Sequence, residues 1–202
     1  MESAHAIRFN TSPERLSVQY LMDCDNSNYG CGGGWMLDAY EFTKKKGLIK
    51  ESEYGKMYQG RKNDCQDPAA VTNRMYNDDQ AEEDSISVKR LKTLVAMQPM
   101  GIAMHSNPNC LMNYHSGVVR EDDCKCSHER TATVNHAVTI VGYGRNTENN
   151  QDECPEFWKV RNSWGASWGQ DGYFKLCIPA DEHSLPTGTC QVLSYVQYPI
   201  FN

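Results

Sequence analysis

A histidine at the start of an apolar segment is the residue from which a case for acid–base chemistry can be built. His136 lies in the stretch VNHAVTIVGYG, which is typical of a buried strand. A lone histidine in such a place is more often a hydrogen-bonded core residue than a catalyst. A second segment, RNSWGASWGQDGYF, changes that balance, because it places Asn162 at the end of another strand.

His136 and Asn162 form a combination that can activate a nucleophile. An asparagine oxygen that accepts a hydrogen bond from one imidazole nitrogen fixes the tautomer of the ring. The other nitrogen is then free to take a proton from a nucleophile. The indole ring of Trp164, which follows in the same segment, would exclude water from this hydrogen bond. The two segments therefore predict a base, an orienting amide and a shielding ring.

The charge and composition of the 202-residue chain exclude several classes of protein. The formal net charge of −6 and the pI near 5.5 argue against nucleic acid or an anionic membrane as the main partner. The sequence has no apolar run of about eighteen residues or more, so it predicts no membrane span. The first residues, MESAHAIRFN, lack the basic region and the apolar core of a signal peptide. Nine cysteines nevertheless favour an oxidising compartment.

The sequence predicts two parts with different secondary structure, and their elements must position these residues. Helical signals dominate the first part, and short apolar or alternating segments after residue 100 predict antiparallel strands. We therefore expect an α+β fold, with a helical lobe at residues 1–81 and a β-rich lobe at residues 82–202 that form one unit. The predicted helices cover residues 36–46 and 87–99. The predicted strands cover residues 101–105, 136–144, 156–164, 172–178 and 192–200.

Two further segments carry specific expectations. The acidic run NDDQAEED, residues 77–84, predicts a solvated loop. Residues 1–9 place Met1, Ala4 and Ile7 at helical spacing without an N-cap ahead of them. They predict the tail of a helix that starts before Met1.

Four segments, in this order, resemble those of the papain-like cysteine peptidases, the group that includes papain and cathepsins L and H. The segments are DCDNSNYGCGGGW, NHAVTIVGYG, RNSWGASWGQDGYF and SYVQYP, and the resemblance covers nearly the whole chain. It implies a papain-like two-lobe fold in which the start of the central helix is missing. It also implies a cysteine endopeptidase that cleaves a peptide or protein substrate, with no cofactor and no metal.

The resemblance implies roles for individual residues. His136 would be the general base, Asn162 its orienting partner and Trp164 the shield over their hydrogen bond. A substrate-binding set would offer glycine backbone groups to an extended peptide and an uncharged pocket to a bulky aliphatic or aromatic side chain. This set consists of Gly33, Gly34, Trp35, Met36, Ala103, Val134, Asn135, Ala137 and Tyr195.

The nucleophilic cysteine of such a peptidase precedes the histidine and asparagine by about 130 to 150 residues. This spacing puts it close to the chain start, but the first cysteine here is Cys24. Its neighbours Asp23 and Asp25 disfavour a thiolate. We therefore expect the nucleophile and the glutamine of the oxyanion hole to lie upstream of Met1, with residues 1–9 as the distal half of the central helix.

The resemblance also implies two disulfides. Cys24 would pair with Cys65 in the helical lobe, and Cys190 would pair with either Cys124 or Cys126 in the β-rich lobe. No partner follows for the cysteines outside the family pattern, which are Cys110, Cys154, Cys177 and the remaining member of the 124/126 pair.

Cys31 is expected to be the odd thiol, because its partner in the family lies just before the nucleophile. A cysteine in a turn lacks the helix terminus that would activate it, so Cys31 is a poor replacement nucleophile. The segment CKCSH raises a zinc alternative, with Cys124, Cys126 and His128 as ligands. We predict no metal there, because the C-x-C spacing is short for zinc and no fourth ligand follows.

Three hypotheses from different classes follow. The first is an active peptidase whose N-terminal segment, with the nucleophile, is missing here, so that the chain by itself is catalytically incompetent. The second is a pseudopeptidase that serves as a structural or peptide-binding subunit of a larger assembly, and the third is a small metal-binding or disulfide-rich module. The missing upstream segment, or another protein chain, is expected to cover Met1, Ala4 and Ile7. The resemblance implies a lysosomal or vacuolar location, or secretion.

Overall fold

A computed structural model of the chain separates into two units. The structure describes residues 1–68, 70–106, 108–129, 132–148 and 150–202. The first unit consists of Met1–Ala81 and Tyr198–Asn202, and the second consists of Glu82–Gln197. Short helices dominate the first unit and strands the second, which confirms the predicted α+β class.

The helices of the first unit begin and end at residues suited to those positions. The Ser17 side chain accepts a hydrogen bond from the Tyr20 N–H at 3.0 Å and so starts a helix that the sequence analysis did not predict. The helix predicted at residues 36–46 is present and ends at Gly47, whose φ of 70° favours glycine. The unit contains α1 (Glu2–Phe9), α2 (Val18–Cys24), a 3₁₀ turn (Gly30–Gly32), α3 (Met36–Lys46) and α4 (Glu51–Tyr54).

Helix α1 does not present the exposed face expected from its sequence. Ala4 is only 3% exposed, and Met1 packs against the apolar cluster of the first unit. Of the predicted face, Ile7 remains exposed, at 57%. The expectation that a partner must cover Met1, Ala4 and Ile7 is therefore wrong for Ala4, which this chain already buries. It stays a prediction for Ile7 and for Met1, which is only partly buried. The cluster that receives Met1 is formed by Leu16, Tyr20, Cys24, Leu48, Ile49 and Tyr54.

Asp23 connects α2 to the loop that follows α4. Its carboxylate is buried and accepts hydrogen bonds from Gln19 Nε2 at 2.7 Å, Asn63 N at 2.8 Å and the Tyr54 hydroxyl at 2.7 Å. Burial raises the pKa of this carboxyl, but the donors outweigh burial and hold the pKa below its ordinary value. Asp23 is therefore a buried, charged acceptor, here called the hub of the first unit, that joins α2, α4 and the loop after α4 through hydrogen bonds.

Seven strands form one sheet. Of the five strand pairs whose register is described, one runs parallel, that of β3 (Val118–Val119) with β6 (Tyr173–Ile178), and the other four run antiparallel. The strand β2 (Met100–Met104) is buried along its whole length, and α5 (Val88–Val95) packs against β4 (His136–Arg145). None of the helices in the described ranges has the length and apolar character needed to cross a membrane. The helices of the second unit are α5 (Val88–Val95), α6 (Pro108–Met112) and α7 (Glu121–Cys124). The sheet order is β1 (Asp79–Asp84), β7 (Tyr195–Ile200), β2 (Met100–Met104), β4 (His136–Arg145), β5 (Glu156–Arg161), β6 (Tyr173–Ile178) and β3 (Val118–Val119).

The prediction of a solvated loop at residues 77–84 is wrong, because most of this acidic run forms the edge strand β1. Its carboxylates have partners that the local sequence does not reveal. Glu83 accepts from Arg90 Nε at 2.8 Å, and Glu82 accepts from the Gln197 side chain. An edge strand keeps one side in water, so charged residues are tolerated there, and they discourage pairing with other chains.

Candidate active site

His136 and Asn162, here called the His–Asn pair, lie side by side in the second unit. His136 is the first residue of β4, and its Nε2 atom lies 3.0 Å from Oδ1 of Asn162. Asn162 directly follows β5, and its backbone N–H donates to the Gly172 carbonyl oxygen at 2.9 Å. Since β4 and β5 are antiparallel neighbours, the start of one lies beside the end of the other. The sheet thus joins two residues that are 26 positions apart.

The side-chain amide of Asn162 is held with its oxygen toward the ring. The same Oδ1 accepts a second hydrogen bond, from the Ser163 backbone N–H at 2.8 Å. Asn162 is only 6% exposed, and its Nδ2 has no hydrogen-bond partner among the residues that the structure describes. The carbonyl end of the amide is therefore the end that fixes the imidazole.

This arrangement selects one tautomer of His136. Because Asn162 presents an oxygen, the ring donates through Nε2–H and keeps the lone pair of Nδ1 available. Burial lowers the pKa of His136 below its usual 6.5, and the hydrogen bond to Asn162 offsets that effect only in part. A neutral ring with a free Nδ1 is the form that can accept a proton.

The ring of Trp164 lies against the ring of His136. Its ring centroid is 5.4 Å from that of His136, and the two planes are tilted by 38°. The indole is nevertheless 38% exposed, so part of it remains in contact with water. The predicted role of Trp164 as a shield over the hydrogen bond stays a prediction.

Trp168 supports Trp164, a role that the sequence analysis did not assign. Its ring meets the ring of Trp164 edge-on, with centroids 5.1 Å apart at 80°. Its Nε1–H donates to the Leu111 carbonyl oxygen of α6 at 2.8 Å. The available signal was a second tryptophan four positions after Trp164, in the segment that carries Asn162.

Three residues of the predicted pocket share one rung of the sheet. Ala103 on β2 lies opposite Ala137 on β4 and opposite Tyr195 on β7. Residues opposite each other on neighbouring strands project to the same face, so these side chains are neighbours. The face is uncharged at this rung, and His136 directly precedes Ala137 on β4. Val134, another predicted member, lies two residues before His136.

The side chain of Asn135 is engaged by the protein's own backbone. Its Oδ1 accepts from the Ser106 N–H at 2.7 Å, and its Nδ2 donates to the Ser106 carbonyl oxygen at 3.0 Å. The Asn135 backbone N–H donates to the Met104 carbonyl oxygen at 3.0 Å. Asn135 therefore ties the approach to His136 to the end of β2.

The glycine turn lies in the first unit, and its two candidate glycines differ. Gly33 has a φ of 103°, and its N–H donates to the Gly30 carbonyl oxygen while its own carbonyl accepts from the Tyr29 N–H. Gly34 has no hydrogen-bond partner for its N–H or carbonyl in the described part of the chain. A Cβ on Gly34 would come within 2.1 Å of Asn28 Oδ1, so only glycine fits there.

Two more residues of the predicted substrate-binding set follow this turn. The Trp35 N–H donates to Asn28 Oδ1 at 2.6 Å, and Met36 begins α3. The four residues from Gly33 to Met36 thus lie in the first unit, whereas the His–Asn pair lies in the second.

Eight of the nine cysteines form disulfides. Cys190 is joined to Cys126, one of the two partners considered for it, and Cys124 is joined to Cys110 instead. The remaining disulfides are Cys24–Cys65 and Cys154–Cys177. Cys31 is free and exposed, and its Sγ lies 3.3 Å from the Gly60 carbonyl oxygen, to which the thiol donates.

These disulfides remove the zinc alternative. Cys124 and Cys126 are both oxidised to disulfides and cannot act as thiolate ligands. The third candidate, His128, instead contacts the carboxylate of Glu121 through Nδ1.

Comparisons of the sequence and of the structure with known proteins both find cysteine proteases. A family model described as papain family cysteine protease matches residues 1–200. Zingipain-2 of Zingiber officinale is 35% identical over 92% of this chain, and procathepsin L of Rattus norvegicus is 33% identical over 93%. Bromelain protease from Ananas comosus, solved in complex with the E64 inhibitor, superposes with a TM-score of 0.82 at 31% identity over the whole chain.

The solved proform of the Amb a 11 cysteine protease of ragweed pollen is similarly close, with a TM-score of 0.81 at 31% identity over the whole chain. These similarities confirm the resemblance that the four segments indicated and the papain-like fold. The chain spans 76% of zingipain-2, 52% of procathepsin L, 84% of the bromelain chain and 56% of the Amb a 11 chain.

Proposed function

Since the chain belongs to the papain family of cysteine proteases, we propose that it carries the proton-accepting side of a thiol peptidase site. His136 takes the proton of a cysteine thiol at Nδ1 while Asn162 holds the ring through Nε2–H. The thiolate attacks the peptide carbonyl carbon, and the ring then gives the proton to the leaving amine. The observation that carries the proposal is the 3.0 Å contact between Nε2 of His136 and Oδ1 of Asn162, with the Trp164 ring 5.4 Å from the His136 ring.

The thiol has to come from outside these 202 residues. Eight cysteines are in disulfides, and Cys31 uses its proton in a hydrogen bond to the Gly60 carbonyl oxygen. We therefore propose that the chain is inactive by itself, with both the nucleophile and the oxyanion glutamine supplied by an upstream segment.

The proposed substrate is an extended peptide with an apolar side chain at the second position before the scissile bond. In the first unit, the unpartnered N–H and carbonyl of Gly34 suit pairing with a peptide backbone. In the second unit, the rung of Ala103, Ala137 and Tyr195 offers an uncharged surface. The Tyr195 ring would limit the depth of this surface and so favour side chains of moderate length.

A pseudopeptidase is the second candidate function. The observation that favours it is that none of the nine cysteines is available as an activated thiol. In that case the same surfaces would bind a peptide or a partner protein without cleaving it. The proposed location is the same for both candidates, either lysosomal or vacuolar or secreted, because four disulfides persist only in an oxidising compartment.

The test compares the 202-residue chain with a chimera. In the chimera, the N-terminal segment of a papain-family protease, with its nucleophilic cysteine, is joined in register to α1. We expect no hydrolysis of a fluorogenic peptide by the chain alone and E64-sensitive hydrolysis by the chimera. His136→Ala in the chimera should lower the rate by about a thousandfold.

Two outcomes would decide against this proposal. E64-sensitive hydrolysis by the chain alone, lost in Cys31→Ala, would make Cys31 the nucleophile. A cooperatively melting chimera that binds the peptide without hydrolysing it would favour the pseudopeptidase.

A further inference from the structure

We propose that Trp168 and the Cys110–Cys124 disulfide position the indole of Trp164 over the His–Asn pair. The inference rests on the function proposed for that pair, and every contact in it lies within the second unit. Neither Trp168 nor this disulfide touches the reacting atoms, so both would act as positioning residues. The contacts form a continuous series in three steps.

The first step fixes α6. Cys110 lies on this helix and is joined to Cys124, the last residue of α7, against which α6 packs. Leu111, the next residue of α6, is 1% exposed, and Cys124 is 2% exposed. A covalent link one residue away therefore restricts the movement of the Leu111 carbonyl group.

The second step fixes the indole of Trp168. The Leu111 carbonyl oxygen accepts from Trp168 Nε1–H at 2.8 Å and from the Tyr114 N–H at 3.1 Å. The Trp168 ring is also flanked by the rings of Tyr114 and Phe174, with centroids 5.7 Å and 5.8 Å away. An indole N–H directed at a buried carbonyl oxygen has one strongly preferred orientation.

The third step transfers this orientation to Trp164. The two indoles meet edge to face at 5.1 Å, and Trp164 then lies 5.4 Å from the His136 ring. Trp164 is 38% exposed, and the ring contacts recorded for it are those with Trp168 and His136. Release of Trp168 from α6 would let Trp164 move and would admit water to the His136–Asn162 hydrogen bond.

The chain contains a matched control for the disulfide. Cys154–Cys177 is also in the second unit, and it packs with Val118 and Phe157 in a separate apolar cluster. Its removal should lower the stability of the same unit without touching α6 or either indole. A general loss of stability can therefore be distinguished from a loss of positioning.

The experiment measures exchange with water of the His136 Nε2 proton and the Trp168 Nε1 proton in the ¹⁵N-labelled chain at fixed pH. The variants are Cys110→Ser/Cys124→Ser and Trp168→Phe, which keeps an aromatic ring but loses the indole N–H. We expect both to speed exchange at His136 by at least about tenfold, because local opening of the shield becomes more frequent. The control Cys154→Ser/Cys177→Ser should stay within about twofold of the parent chain.

An unchanged His136 exchange rate in the folded Cys110→Ser/Cys124→Ser variant would overturn the proposal, and so would an equal acceleration in the control. If that double variant does not fold, an unchanged rate in Trp168→Phe overturns it. The readout is proton exchange and not turnover. An inactive chimera would therefore count against the proposed function alone, and unchanged exchange would count against the positioning series alone.

Discussion

At the scale of single residues, the chemistry depends on which protons His136 binds. Its pKa in the folded chain lies below the usual 6.5, because the ring is buried. At a pH between the lowered pKa of the folded chain and the pKa of 6.5 in the unfolded chain, His136 binds a proton only in the unfolded chain. The stability of the folded chain therefore falls as the pH decreases through this window. Above 6.5 this contribution is constant.

We therefore expect His136→Gln to remove this part of the pH dependence. The melting temperature of the variant should fall less steeply than that of the parent chain as the pH drops below 6.5. Calorimetric melting at a series of pH values tests this. Parallel curves for the two proteins would mean that the folded-state pKa of His136 is not lowered.

Tyr195 is the residue expected to set substrate preference. It lies on the rung of two alanines, so truncation of its ring would deepen the pocket more than any other single change there. In the active chimera, Tyr195→Ala should raise the kcat/KM ratio of phenylalanine over valine at the second position by about tenfold. Tyr143→Ala removes an exposed tyrosine from β4 and should leave the ratio unchanged. A change of equal size in both variants would exclude Tyr195 as the specificity residue.

At the scale of elements, Asp23 holds α2 against the loop that contains Asn63. Asp23→Asn keeps one oxygen but removes the charge and turns an NH₂ group toward a donor. We expect the free energy of unfolding to fall by about 2 to 4 kcal/mol, because buried hydrogen bonds to a charged acceptor are lost. Asp64→Asn, at an exposed position in the same loop, is the control and should cost less than about 0.5 kcal/mol. Urea unfolding gives both values, and equal losses would contradict the hub role of Asp23.

Local patterns were sufficient for some elements and not for others. The helix that ends at Gly47 and the strands around His136 and Asn162 follow from periodicity and turn residues in short windows. The strand β1 does not, because its acidic side chains are stabilised by residues distant in sequence, such as Gln197. Sequence spacing likewise left Cys110 without a partner, because only the packing of α6 against α7 brings it to Cys124.

In the candidate site, too, some features could be predicted from the local sequence and others could not. The proximity of His136 and Asn162 could be expected from two motifs at strand ends. The engagement of Asn135 by Ser106 and the support of Trp164 by Leu111 through Trp168 could not, because they depend on loop and helix positions that no motif specifies.

At the scale of the whole molecule, each unit contains disulfides of its own: one lies within the first unit and three lie within the second. One disulfide contributes about 2 to 4 kcal/mol, and the total margin of a folded domain is about 5 to 15 kcal/mol. We therefore expect full reduction to lower the melting temperature by more than about 10 °C. Calorimetry with and without a strong thiol reductant, with reduction verified by mass, measures the shift. An unchanged melting temperature would remove the argument for an oxidising compartment.

The whole labelled chain also gives the most direct test of the central claim, that His136 is a neutral base oriented by Asn162. Long-range ¹H–¹⁵N spectra of the histidine rings at neutral pH report the protonation of each nitrogen separately. The account predicts a neutral His136 ring protonated at Nε2, and a mixture of tautomers in Asn162→Ala. A His136 ring protonated at Nδ1, or charged at neutral pH, would contradict it.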